Sequence, residues 1–477
     1  MPPVLATLPF DPADPRAALA ELPQSQAVFA LYGADARAEP YIGRTPNLQS
    51  RLARLLEPSA KHPRRLQLAG LVREIRWQLT GSEFESLLAQ FSLLEEIYGA
   101  KSLERMHLRA PAFVRFLGSN PYPRITVTHR PSLREAGWAY GPFPSRAAAE
   151  RFSEEALKLF LLRRCTFDLN PDPSYPGCVY SEMKMCLAPC YKGCSNERYA
   201  EEAVAVESFL ATRGESRLIT LRKQRDQAST ELAFESAAAL HAQVQRVESV
   251  RSLAAELVRP LSKLRAVILQ ISAQPGEVAV FLFENGRLRG PAAFSTLGMR
   301  IQNEQSGSSS LFTQPLAVEA MPEKQETGNG EQGVEVQATG GRDRGSERQG
   351  ARGPGDVEEE IAPGDTEEDL KGHDFSRAAT GPNIDGALTP EAPTTSAKIP
   401  RGLLESRLEA VLAELAESSR TPSAIVRQGH LALLKRWYYR PEARRAGEIF
   451  FPNAEDRWPV KAILRGIGRV AAKGISG

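Results

Sequence analysis

The chain has no apolar run approaching the roughly 20 residues that a membrane-crossing helix needs. Its first residues lack a basic start followed by an apolar core, so no secretory signal is read there. A membrane partner and export are thereby disfavoured, and the expected location is the cytoplasm. Cysteine is scarce: five in 477 residues, none of them outside residues 165–194. Disulfides are disfavoured in a reducing compartment. Five cysteines gathered in one segment therefore ask for another explanation.

Cys165, Cys178, Cys186, Cys190 and Cys194 follow the spacing C-x12-C-x7-C-x3-C-x3-C. Clustering of this kind means ligation rather than chance. Soft thiolates suit zinc or an iron–sulfur cluster. The alternative, buried thiols acting as small hydrophobes, normally involves single cysteines. Cys194 reads as the odd one of the five. The flanking words are specific as well. Gly141-Pro142-Phe143-Pro144 reads as a turn before a helix that Ser145 caps, with Phe152, Leu157 and Leu161 on its apolar side. Arg164-Cys165 follows, and later Cys186-Leu187-Ala188-Pro189-Cys190. This run resembles the central region of the UvrC subunit of the bacterial excinuclease, where a GPFP turn leads to a four-cysteine cluster with a CLxPC pair. The resemblance implies an iron–sulfur site of the 4Fe–4S kind, held by Cys165, Cys178, Cys186 and Cys190. Spacing alone leaves zinc open.

A chain of this length with 42% hydrophobic residues can hold two to four folded units. Its formal charge of +2 hides an asymmetry: residues 301–400 carry 19 acidic but only 8 basic residues, which leaves about +13 on the rest. A basic folded part with an acidic tether fits a polyanionic partner such as DNA.

Residues 1–25 are rich in Pro and Ala and read as a loose arm with a short helix near 15–21. In 26–105, Val28 to Tyr32 and Pro40 to Arg44 read as a β-hairpin. Thr45-Pro46 reads as a helix cap with Pro at the first helical position. Leu48, Leu52 and Leu55 share one face of that helix, flanked by Arg51 and Arg54. Ile75, Trp77 and Leu79 alternate as a third strand, and Ser82-x-x-Glu85 reads as a capping box. The order of these words resembles the GIY-YIG nuclease domain of UvrC. Ala27-Val28-Phe29 stands at GIY, Tyr41-Ile42-Gly43 at YIG, and Asn47-Leu48 with Arg51-Leu52 at N-L-x-x-R-L.

Phosphodiester hydrolysis needs an activated water, stabilisation of phosphate charge and a divalent ion. In the family, tyrosines orient the water, an arginine contacts the phosphate and a helix glutamate holds the metal. The resemblance assigns Tyr41 and Arg51 such roles, with Arg44 where UvrC has lysine, Arg44, Arg51 and Arg54 toward DNA, and Mg²⁺ as the ion of an active module. The pattern is broken at three places. Phe29 lacks the first tyrosine's hydroxyl. Gln90 falls at the metal-binding glutamate, and an amide is a poor Mg²⁺ ligand. No asparagine stands near Ser102. Glu83, Glu85, Glu95 and Glu96 are close in sequence. Glu85 and Glu95, however, are five residues from Gln90, about 140° around a helix.

Residues 106–215 form the cysteine-cluster region, with a strand over 121–128 and a helix from Ser195 through Leu210. Residues 216–258 read as two helices joined at Leu232-Ala233-Phe234-Glu235. The run Leu232 to Leu240 resembles the UVR motif, whose hairpin in UvrC docks a matching hairpin of the UvrB subunit. Two short helices bury little alone, and Phe234, with Leu232 and Glu235, is the expected anchor. Residues 264–300 read as three strands, with an Asn285-Gly286 hairpin turn. They resemble the opening of UvrC's ribonuclease-H-like nuclease. Residues 301–400 read as a disordered acidic linker. Residues 402–477 carry helices over 403–415 and 425–437 and a strand over 448–452 that could close the small sheet. Leu464-Arg465-Gly466-Ile467-Gly468 superficially resembles a DNA-binding hairpin word. The chain has no room for the C-terminal nuclease or the helix–hairpin–helix repeats of UvrC.

The expected fold is α/β and modular: a small mixed-sheet GIY-YIG-like domain, an α+β cysteine domain, a UVR helical hairpin and a fragment of a ribonuclease-H-like sheet. The expected function is DNA repair of the nucleotide excision type through DNA and a UvrB-like partner, with an endonuclease module whose catalytic set is degraded. The alternatives are a non-catalytic UvrB-binding adaptor and a redox-sensing regulator.

Overall fold

Three four-stranded antiparallel sheets organise the computed structural model. It describes residues 5–35, 37–57, 66–132, 136–297, 299, 400–417, 422–441 and 444–475. The acidic stretch 301–399 lies outside the described residues.

The first sheet contains β1 (Ala6–Pro9), β2 (Ala27–Gly33), β3 (Tyr41–Thr45) and β4 (Val72–Leu79), in the order β1-β4-β2-β3. Every neighbour is antiparallel, so the expected mixed sheet is corrected. The supposed loose arm supplies β1, which lines the sheet's edge against β4. Pro9 is tolerated there because an edge strand can spare an N–H donor. α1 (Pro15–Ala20) starts where Asp14 caps it. α2 (Leu48–Leu56) is capped by Asn47, whose side chain accepts the Ser50 N–H. Thr45 and Pro46 thus precede the cap. The Thr45 hydroxyl instead folds the turn by bonding the Asn47 backbone. Leu48, Leu52, Leu55 and Leu56 of α2 pack on Phe29, Leu31 and Ile75.

Gly43 has a steric reason to be glycine. It pairs with Phe29 across the hairpin, and a Cβ there would meet the Phe29 ring at 2.7 Å.

α3 (Glu83–Tyr98) and α4 (Ser102–Arg105) follow. Ser82 accepts the Glu85 N–H, but the Glu85 carboxylate accepts from Gly81 N–H rather than closing back on Ser82. α3 is buried on two sides. Ala89 and Leu93 meet Val28 and Ala30 of the first sheet. Phe84, Leu87, Phe91 and Leu94 join a core built largely from the C-terminal half.

The second sheet contains β5 (Ala112–Phe116), β6 (Ile125–Thr128) and β7 (Ala139–Phe143). Pro121 and Pro123 keep the preceding residues out of β6, since neither can donate to a ladder. Gly141-Pro142-Phe143, read as a turn, forms the end of β7, and the chain turns only at Pro144. α5 (Arg146–Leu157) follows its Ser145 cap. After α6 (Val179–Glu182) come α7 (Asn196–Ala211), α8 (Glu215–Thr230), α9 (Phe234–Ser252) and β8 (Arg259–Pro260). β8 pairs with β7, so the helical hairpin leaves and re-enters the same lobe. Val244, Val247 and Val250 of α9 share a core with Phe152, Phe209 and Tyr199.

The third sheet runs through β9 (Ala266–Ile271), β10 (Glu277–Glu284) and β11 (Arg287–Ser295). Asn285 and Gly286 both adopt positive φ, as a type I′ turn requires. After the undescribed stretch come α10 (Arg401–Ala416), α11 (Ala424–Tyr438), β12 (Glu448–Phe450) and α12 (Val460–Ile475). β12 pairs antiparallel with β9 and closes the sheet, as its sequence led us to expect. Val267, Leu269 and Val280 face Leu408 of α10 and Ile463 and Ile467 of α12. Ile268, Phe281 and Phe283 face Phe84 of α3 and Leu434 and Trp437 of α11. Gly429 lets α11 approach α3, because any Cβ would run into the Phe91 ring. Leu464 to Gly468 lies inside the continuous helix α12, so it forms no hairpin. Among the described residues no helix is long and apolar enough to cross a membrane.

Candidate functional site

Side chains alternate across a strand, and that alternation divides the nuclease-like residues. Tyr41 packs with Phe29 and α2 on one face of β3. Arg51 Nη2 donates to the Tyr41 hydroxyl at 3.4 Å. The buried Phe29 ring lies 6.2 Å from the Tyr41 ring, centroid to centroid. Arg54 is exposed one turn beyond Arg51 on α2. Arg44, three residues after Tyr41, lies on the other face, where α3 packs. It meets the Glu83 carboxylate at 3.5 Å. Gln90 is half-buried on that helix. The structure thus joins Tyr41 to Arg51, and Arg44 to α3, on opposite sides of an edge strand.

Glu83 is visible in sequence as an acid near Gln90, but the partner that holds it is not. It stands seven residues, about two turns, before Gln90 and so on the same helix face. Arg440, beyond the end of α11, grips it with two hydrogen bonds of 2.7 and 2.8 Å. Hydrogen bonding to Arg440 holds the Glu83 carboxyl below its usual range, against the cost of burial, with Arg44 and Arg436 adding to the effect. Next to it, burial pushes the Glu85 carboxyl up to about 7.

The cysteine region is built between α5 and α7. Cys190 is buried, while Cys165, Cys178, Cys186 and Cys194 are partly so. Burial pushes the Cys186 thiol up to about 11, and the fields of Cys165, Cys178 and Cys190 push the same way. Cys190 is raised by burial and by Cys178 and Cys165. Cys186 therefore lies within the fields of the other three, and Cys190 within those of Cys178 and Cys165. Cys194 is raised by burial, with Arg198 pulling it down and Cys190 adding to the rise. Ala188 N–H donates to Cys186 Sγ at 3.3 Å, and Arg163 Nη1 to Cys165 Sγ at 3.5 Å. Among the described residues no group of three or more His, Cys, Asp or Glu side chains is drawn together tightly enough to hold a metal ion. Thiols are nonetheless the soft donor type that zinc and iron centres use, and N–H groups are aimed at the sulfurs of Cys186 and Cys165.

At the helical hairpin the base is buried and the tip is not. Leu232 is 71% exposed and Phe234 is 65% exposed, with Glu235 also at the surface. Leu232 adopts φ 60° at the joint.

A lobe carrying the five cysteines, a hairpin-built sheet module and an exposed pair of helices make up a modular α/β protein. Residues 113–209, from β5 to the last turn of α7, match the family model described as UvrC/Cho excinuclease, middle domain. The chain is 29% identical over 241 residues to the UvrABC system protein C of Pseudomonas protegens, covering 50% of this chain and 39% of that protein. To the one from Alkalilimnicola ehrlichii it is 27% identical over 284 residues, 59% of this chain and 46% of that one. To the one from Carboxydothermus hydrogenoformans it is 26% identical over 278 residues, 58% and 45% respectively. Over the matched half, this chain is a UvrC-like protein. It spans less than half the length of these curated relatives. No solved structure matches it.

Proposed function

We propose that the chain serves nucleotide excision repair as a DNA-binding, UvrB-docking protein whose GIY-YIG-like module no longer cuts. The observation that carries this reading is the fate of the carboxylate beside Arg44. A metal-holding carboxylate must offer free oxygens to a hard cation. Both Glu83 oxygens are occupied by Arg440. Gln90 supplies an amide instead of a charge, and buried Phe29 supplies no hydroxyl. Tyr41 and Arg51, which could orient a water and a phosphate, face away from that helix. Mg²⁺ belongs to the function only if the module is active.

In this reading Arg44, Arg51 and Arg54 contact DNA phosphates. The α8–α9 pair is the UVR hairpin and presents Phe234, Leu232 and Glu235 to a UvrB-like partner. Cys165, Cys178, Cys186 and Cys190 hold an iron–sulfur cluster, with zinc the other possibility. The sheet β9–β12 is a fragment related to a ribonuclease-H-like nuclease.

The test is incision of bubble and lesion-bearing duplexes with Mg²⁺ or Mn²⁺, with and without UvrA and UvrB, using Tyr41→Phe as the contamination control. The expected result is no cleavage with retained UvrB and DNA binding. Cleavage that Tyr41→Phe abolishes would establish a working nuclease and overturn the adaptor reading.

A further inference from the structure

Arg163 is the most deeply buried charged side chain among the described residues. It is 1% exposed and among the largest fully buried side chains. Its backbone N–H donates to the Tyr199 hydroxyl, and its Nε to the Tyr122 carbonyl at 2.9 Å. Nη1 donates to the Phe167 carbonyl at 2.8 Å and points at Cys165 Sγ at 3.5 Å. Nη2 is buried and has no hydrogen-bond partner. Among the described residues no carboxylate pairs with this guanidinium. A buried cation with no counter-charge is expensive, and arginine does not shed its proton to escape the cost. Neutral carbonyls satisfy donors but do not neutralise charge. The group within reach that can become an anion is sulfur.

We infer that Arg163 is the buried counter-cation of a thiolate centre formed by Cys165, Cys178, Cys186 and Cys190, and that its charge sets how tightly that centre holds metal and at what potential it is reduced. This rests on the reading of the four cysteines as ligands. Thiolates ligating a metal leave net negative charge on the sulfurs. Arg163 then gains the partner that it lacks among protein carboxylates, and the sulfurs gain an N–H donor that draws off charge. Hydrogen bonds and nearby charge tune such centres. The surrounding residues hold the guanidinium in place. Tyr199, itself buried, accepts from the Arg163 N–H and donates to the Pro123 carbonyl at 2.8 Å. Tyr199 packs edge-on against Tyr122, whose carbonyl receives Nε. The Arg163 side chain is thus fixed from both ends.

The experiment compares full-length wild type, Arg163→Gln and Arg163→Lys, all purified anaerobically. Iron, sulfide and zinc contents are measured, then the rate of metal loss to a chelator and, for an iron centre, the reduction potential. The expected result is metal bound by wild type, lost roughly 10- to 100-fold more readily by Arg163→Gln, with a more negative potential. Arg163→Lys should recover most of both. Wild type without metal overturns the ligand reading and this inference together. Metal retention and potential unchanged in Arg163→Gln overturn the inference and leave the centre standing. Equal losses in the Gln and Lys variants assign Arg163 a packing role and also overturn it. Should Arg163→Gln not fold, Arg163→Lys decides alone: wild-type retention and potential support the charge role, and loss of both overturns it.

Discussion

Arg440 holds Glu83 end-on, Nη1 to Oε2 at 2.7 Å and Nη2 to Oε1 at 2.8 Å, although 357 residues separate them in sequence. The pair links the first turn of α3 to the segment after α11. Paired bonds of this geometry are the stronger kind of ion pair, but Glu83 is 42% exposed at its side chain and water screens it. Arg440→Ala and Glu83→Gln should each cost about 1 kcal/mol, and the double variant little more than either. Urea unfolding of the four proteins measures this coupling. Additive losses would show that the two residues act separately. The Glu83 carboxyl is held low in the folded state. The stability it adds is therefore present above its unfolded value and is lost as pH falls through the folded one.

Glu85 predicts the opposite slope. It is 5% exposed, and burial pushes it up to about 7, offset in part by the Gly81 N–H. The folded state therefore keeps a proton that the unfolded state releases near pH 4.5. Stability falls as pH rises between those values, by up to about 3 kcal/mol in total. Glu85→Gln keeps an acceptor for Gly81 and cannot ionise. Its urea midpoint should change less than that of wild type from pH 5 to 7.5 and exceed it at the upper end. Parallel profiles would rule out an ionising Glu85 as the cause. The comparison with wild type matters because buried His430, pushed down to about 3 and accepting the Leu288 N–H, contributes the reverse trend below its unfolded value.

Much of the fold can be read from local signals. Asn285-Gly286 marks its hairpin because a type I′ turn needs positive φ at both positions. Asp14-Pro15 and the Ser145 cap mark helix starts within a residue or two. β1 stayed hidden because an edge strand is held by main-chain bonds, and its side chains carry little apolar pattern. The pairing of α3 with α11 was equally hidden. It rests on Gly429 admitting the Phe91 ring across more than 300 residues, and no local pattern encodes that meeting. The clustering of the cysteines was legible from spacing, while the choice of four of them came from the family resemblance. Arg163 was not, because a lone arginine beside a cysteine looks like any surface charge until its burial is known. Glu83 was visible in sequence, but its capture by Arg440 was not.

The exposed tip of the α8–α9 hairpin separates binding from folding. Phe234 and Leu232 are 65% and 71% exposed, so neither supports the protein's own core. Phe234→Ala should leave unfolding within about 0.5 kcal/mol of wild type. It should weaken capture of a UvrB-like partner by about 2 kcal/mol, some 30-fold. Val247→Ala is the contrasting control. Val247 is 1% exposed at the hairpin base, and its truncation should lower stability by about 1 kcal/mol or more. Titration calorimetry with the purified partner gives the affinities. Undiminished binding by Phe234→Ala would remove the tip from the interface.

Single cysteine replacements should divide four to one. Cys186 lies in the fields of Cys165, Cys178 and Cys190, whereas the cysteine field acting on Cys194 is that of Cys190. A serine at any of the four replaces a soft ligand with a hydroxyl that stays protonated at neutral pH and binds zinc or iron poorly. If the four hold a metal, each such variant should be purified with most of it missing, and its unfolding should resemble that of wild type stripped by a chelator, because metal binding at a thiolate site adds directly to folding. Cys194→Ser should keep wild-type metal content and thermal midpoint. Equal metal loss from all five variants would extend the ligand set to Cys194. Full metal content in any one of the four would exclude that residue from it.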